Sequence, residues 1–142
     1  MTPLQWPTFF QRPDRSSWIK QLFMPDRNYA QVTEHLKRQL LTRSHPDPMV
    51  WGEDPKRSEI ASVVCKRIQE EYSWPNDHFL PNDPCDIVFL TPWDDLESVE
   101  LAMQLEEDLG IHLEDAEVAS WGGTLSNVVD MLFAKHKVQS TK

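Results

Sequence analysis

The chain of 142 residues predicts an all-α fold, with helices ordered as helix, long loop, helix, short helix, helix from residue 58 onward, and an N-terminal helical extension before them. Three observations carry this expectation. Apolar residues recur at helical spacing in successive stretches. Prolines and glycines fall between those stretches. No sheet-rich arrangement of the same segments has comparable support.

The first third is punctuated by Pro3, Pro7, Pro13, Pro25, Pro46, Pro48 and Pro55. Between them, Arg15 to Phe23 is expected to hold a short helix with Trp18, Ile19, Leu22 and Phe23 on one face. Asn28 to Arg43 is a stronger helix, because Tyr29, Val32, Leu36, Leu40 and Leu41 keep helical register. Ser44 to Lys56 contains three prolines and reads as a linker or loop. From Arg57 to Tyr72, Ile60, Val64, Ile68 and Tyr72 step by four residues, so one face is expected to be buried. Trp74-Pro75 ends that helix, since proline has no amide proton and restricts its predecessor.

Asn76 to Trp93 forms the long connection, with Pro81, Pro84 and Pro92 inside it. Within it Ile87-Val88-Phe89-Leu90 has the composition of a short strand, but is better read as an anchor pinning the loop into the core. A helix then opens at Asp94 and stops near Gly110. Glu114 to Ser120 reads as a short helical turn, and Trp121-Gly122-Gly123 breaks the chain. Thr124 is placed to cap a last helix running to about Ala134, with Leu125, Val128, Val129, Leu132 and Phe133 as its apolar stripe. Lys135 and Lys137 lie where the helix dipole favours cations. The expected division is a Pro-rich helical extension over 1–57 and a helical domain over 58–142.

Hydrophobic residues make up 39% and charged residues 26% of the chain, the balance of a globular domain rather than a disordered or membrane-spanning one. No apolar run reaches bilayer length, Met1-Thr2-Pro3-Leu4 does not open like a signal peptide, and a cytoplasmic location is the expectation. Cys65 sits in a helical pattern and Cys85 in a Pro-rich loop, which argues against a disulfide framework. His35, His45, His78, His112 and His136 show no metal-ligand spacing, so no metal is expected. The net charge of −9 is split: residues 1–57 carry nine Lys/Arg against six Asp/Glu, and residues 58–142 carry five against seventeen. Such an acidic second part repels nucleic acid and complements a basic protein surface.

The acidic helix has the clearest internal logic. Asp94-x-x-Glu97 resembles a capping box, and Asp95 is an equally good first-turn residue. Carboxylates there meet the positive end of the helix dipole, worth about 0.3–1 kcal/mol each. A helical projection puts Leu101, Ala102, Leu105 and Leu109 on one side, toward the core. Leu96, Val99 and Met103 fall nearly opposite, bordered by Glu100, Glu106 and Glu107. Two readings follow for Val99 and Met103: an exposed interaction face ringed by acid, or a face covered by the N-terminal extension.

Asp94, Leu96, Val99, Glu100, Leu101, Met103, Leu105, Glu106 and Glu107, then Gly110-Ile111 and Asp115, resemble the acyl carrier protein family. Phe79-Leu80-Pro81 is similar to the start of that family's long first loop, and Ser58–Tyr72 to its first helix. The likeness covers about residues 58–136; it is specific over 94–115 and topological elsewhere. It implies an acyl carrier protein-like four-helix bundle. At the position of Asp95 the family has the serine that carries phosphopantetheine, so the resemblance marks a degenerate attachment position. A carboxylate there would give a labile mixed anhydride, and 4′-phosphopantetheine is not expected.

The resemblance further implies docking of a basic protein partner through Glu97, Val99, Glu100, Met103, Glu106 and Glu107. A non-enzymatic interaction module is the leading expectation. The alternative is a true acyl or peptidyl carrier with an atypical attachment site, for which Ser98, one turn on, is the available hydroxyl. No local nucleophile–base arrangement or Gly-rich phosphate loop supports an enzyme.

Overall fold

The computed structural model describes residues 3–5, 27–89, 95–119 and 121–140, with side chains at 3–5, 32–89, 99–114, 116–118 and 121–139. The chain is mostly helical, and no strand is present among the described residues. In order these are α1 (Arg27–Leu41), a 3₁₀ turn (Pro48–Trp51), α2 (Pro55–Tyr72), α3 (Cys85–Val88), α4 (Asp95–Leu109), α5 (Asp115–Ala119) and α6 (Leu125–Ser140). The helix expected over Arg15–Phe23 lies outside the described residues, as do Asp94 and Leu90.

Helix α2 is the axis of the fold and packs against both α4 and α6. It starts two residues before the apolar periodicity because Asp54 accepts a hydrogen bond from the Lys56 amide (2.8 Å) and Pro55 occupies the first turn. Its buried stripe is Ile60, Ala61, Val64, Cys65, Ile68 and Tyr72. It ends on Ser73, which holds the left-handed conformation at φ 56°, while the Trp74 amide bonds back to the Gln69 carbonyl (3.1 Å).

One segment differs from expectation, and a second decides between two readings. The 44–56 stretch is not plain loop: Asp47 caps a 3₁₀ turn through the Met49 amide (2.9 Å), and Trp51 is buried at its end. Arg57 then ties the Trp51 carbonyl to Ser126 (3.1 Å) and Asp130 (3.0 Å) of α6. Residues 85–88 are a helical turn rather than a strand, and Cys85, Ile87, Val88 and the closing Phe89 are buried in the core, as the anchor reading expects. A lone apolar run of four cannot distinguish these outcomes by pattern.

Helix α6 runs to Ser140, six residues past Ala134. Its apolar stripe ends earlier, so the last turns are held by polar contacts: Gln139 exchanges hydrogen bonds with the His112 backbone (2.9 and 3.2 Å), and Lys135 pairs with Glu117.

The buried cluster draws from both sides of position 57. Leu4, Val32, Leu36, Leu40 and Trp51 join Ile60, Ile68, Phe79, Leu101, Leu105, Leu125 and Leu132. Trp74 lies edge-on to Phe79 (5.5 Å between centroids) and donates its indole N–H to the Val88 carbonyl (3.1 Å), which pins the long connection from both ends.

Candidate docking face

Helix α4 presents two unlike faces. Leu101, Ala102 and Leu105 are buried and Leu109 packs against the core, as the helical projection requires. On the other side Val99 is 53% and Met103 61% exposed, and Glu100 and Glu107 stand beside them in solvent. The backbone of Asp95 and Glu97 forms the first turn of α4; the side chains of Asp95, Glu97 and Ser98 lie outside the described residues.

The acidic neighbours are not equivalent. Glu106 is half-buried and turns back, with its Oε2 accepting from the Leu113 amide and lying 3.3 Å from His112 Nδ1. Asp108 is clamped by the Arg67 guanidinium, which holds its carboxyl below the usual carboxylate range. Glu100 and Glu107 are therefore the carboxylates most available to an incoming cation. A further one, Glu71 at the end of α2, was not legible in the sequence. Partial burial, then the charge of Glu100 and a hydrogen bond to it, raise the Glu71 carboxyl above its ordinary range. The Glu71 and Glu100 carboxyls, from different helices, thus meet at the edge of the face.

Helix α4 ends at Gly110, whose φ of +65° suits glycine, and the Ile111 amide returns to the Glu106 carbonyl (3.1 Å). This stop fixes where the acidic face ends.

A second concave feature lies between the 3₁₀ turn and α2. It is a cavity of about 80 Å³ lined by His45, Asp47, Trp51, Ser62, Cys65 and Asp77 among others. That is room for two or three waters, well below the several hundred Å³ of typical ligand pockets. Burial, reinforced by Asp77 and Asp83, pushes the Cys65 thiol strongly up, and burial raises Cys85 to about 12. Neither free thiol is poised as a nucleophile at neutral pH.

The most ordered polar site sits elsewhere. Asp83 is fully buried in the 80–84 turn. Its Oδ1 accepts from the Leu4 amide (2.9 Å) and Arg43 Nη2 (3.1 Å); its Oδ2 accepts from the Leu80 amide (2.7 Å) and Arg43 Nη1 (2.8 Å). Arg43 also donates to the His78 carbonyl (3.0 Å), and His78 Nδ1 faces the Arg43 carbonyl (2.9 Å). The same turn holds the start of α6, since the Leu125 and Ser126 amides donate to the Asp83 and Pro81 carbonyls. One side chain, Asp83, thus joins residues 3–5, the turn that follows α1 and the long connection.

Among the described residues no group of three or more His, Cys, Asp or Glu side chains is arranged to hold a metal ion, and no helix is long and apolar enough to cross a membrane. Comparison with protein-family models, with curated proteins and with solved structures finds no match to the chain.

Proposed function

We propose that the chain is a non-enzymatic, acyl carrier protein-like module that has lost its cargo site and keeps a docking face for a basic protein partner. The single observation that carries this reading is the pairing of Asp95 at the attachment position with an exposed Val99/Met103 patch rimmed by Glu100 and Glu107. The order of α2, long connection, α4, α5 and α6 is compatible with the four-helix arrangement the resemblance implies. In this reading α4 recognises lysines and arginines around a small apolar contact. Long-range attraction sets the encounter rate, and Val99 and Met103 supply the desolvated centre. No phosphopantetheine is carried and no reaction is catalysed.

A phosphopantetheinyl transferase with coenzyme A serves as a defined basic partner, with the Asp95→Ser chain as its acceptor. In that background, Glu100→Lys/Glu107→Lys is expected to slow arm transfer at least tenfold. Added salt is expected to slow transfer to the parent acceptor and to leave the charge-reversed one nearly unchanged. Equal transfer rates for the two acceptors at low and high salt would refute the docking role of this face.

A further inference from the structure

The polar site around Asp83 resembles a ligand site already filled. Pro3-Leu4-Gln5 bridges Gln39 of α1 and Asp83 of the 80–84 turn through its main chain, as a bound peptide would. The Leu4 side chain is 1% exposed and belongs to the main buried cluster. Its amide donates to Asp83 Oδ1 (2.9 Å). One residue on, the Gln39 carboxamide reads the Gln5 backbone twice, accepting from its N–H (3.0 Å) and donating to its carbonyl (2.8 Å). His35 Nδ1 lies 3.2 Å from the same Gln39 nitrogen and orients it.

All three of these polar contacts go to backbone atoms, and among the described residues 3–5 the buried side chain is Leu4. Backbone bonds that give affinity and one pocket that gives selectivity are the working parts of extended-peptide recognition. The walls also carry bonds of their own besides those to the segment. Arg43 pairs with both oxygens of Asp83 and the Leu80 amide bonds the second, so the carboxylate is held as a fixed acceptor. Gln39 is carried on α1, a helix of 15 residues.

We propose that the groove formed by α1 and the 80–84 turn is a recognition site for an extended peptide bearing a leucine anchor. The chain's own residues 3–5 fill it in cis, and a peptide of the same chemistry presented in trans competes for it. Selectivity is for leucine followed by any residue with a free backbone N–H, because Gln39 touches only the main chain of Gln5. An acidic anchor is rejected, since it would meet a buried carboxylate and an apolar floor. The inference is independent of the docking role given to α4.

The test uses the full chain carrying Leu4→Asp, which is expected to vacate the groove and changes no wall residue. The probe is a fluorescent peptide of residues 1–8, followed by anisotropy. The peptide is expected to bind this variant saturably, and a Leu4→Ala version of the peptide at least tenfold more weakly. Gln39→Ala in the same chain should weaken binding several-fold. The wild-type chain should bind at least tenfold more weakly than Leu4→Asp, because its own segment competes at high local concentration.

Absence of saturable binding to a folded Leu4→Asp chain overturns the proposal, as does binding indifferent to the peptide's leucine. Should circular dichroism show that Leu4→Asp has lost its helices, the wild-type chain is probed instead. The same peptide then carries a diazirine-bearing leucine analogue at position 4. Cross-links confined to α1 and the 80–84 turn support the groove, and none, or scattered ones, overturn it.

Discussion

The outer face of α4 and the Asp83 site hold the same kind of group, a carboxylate, under opposite conditions. Glu100 and Glu107 stand in water beside exposed Val99 and Met103, and only Glu100 has a neighbouring carboxyl, that of Glu71, against it. Asp83 is fully buried and accepts four hydrogen bonds from three segments. A charge in water is cheap to keep and cheap to change, and its value lies in what approaches it. A buried charge is costly to strand and has its value in what it already holds. One region can change with little effect on the fold, while the other holds three segments of the fold together.

The sharpest way to break this contrast is Arg43→Met, which leaves Asp83 buried without its cation. It is expected to cost about 3–5 kcal/mol in urea unfolding. Combining it with Asp83→Ala should cost much less than the sum of the two single changes, because no uncompensated charge remains. Additive losses would mean that the two residues stabilise the fold separately.

An intermediate effect is expected at Ser73, whose left-handed backbone at φ 56° carries a steric cost that glycine avoids. Ser73→Gly should stabilise the chain by about 0.5–1 kcal/mol, read as a higher urea midpoint with unchanged slope. A lower midpoint would show that the serine side chain contributes more than its conformation costs.

The smallest effects are expected on the α4 face. Met103→Ser and Glu107→Lys should each shift stability by less than about 0.5 kcal/mol, against several for the Asp83 site. Glu71 tests the pH dependence at the edge of this face. Its carboxyl is raised in the folded chain, so its contribution is complete below the unfolded carboxylate pKa and is lost as pH rises through the folded value. Glu71→Gln should therefore stabilise modestly near about pH 7 and make no difference near about pH 3. Asp108 has the opposite sign: its carboxyl is lowered by Arg67, so Asp108→Asn should destabilise near about pH 7 and lose its effect in acid. Paired urea curves at the two pH values check both signs.

The contrast also separates what was legible in the sequence from what was not. The two faces of α4 follow from a 3.6-residue period acting on Leu101, Leu105, Val99 and Met103, a purely local rule. The core stripes of α2 and α6 follow the same way. Asp83 did not stand out, because an aspartate between Pro81-Asn82 and Pro84 is ordinary turn chemistry. Its meaning comes from Leu4 and Arg43, which are 79 and 40 residues away in sequence. Glu71 was missed for the same reason: its partner Glu100 is on another helix. The extra turns of α6 depend on Gln139 meeting the His112 backbone, and no periodicity carries that.

The central claim is that the module keeps a carrier-like docking surface and lacks the carrier's attachment group. Intact-mass spectrometry after incubation with coenzyme A and a phosphopantetheinyl transferase tests it most directly. The account predicts that the wild-type chain stays unmodified and that Asp95→Ser gains one phosphopantetheine arm. A modified wild-type chain, or an Asp95→Ser chain that folds and stays unmodified, would contradict it.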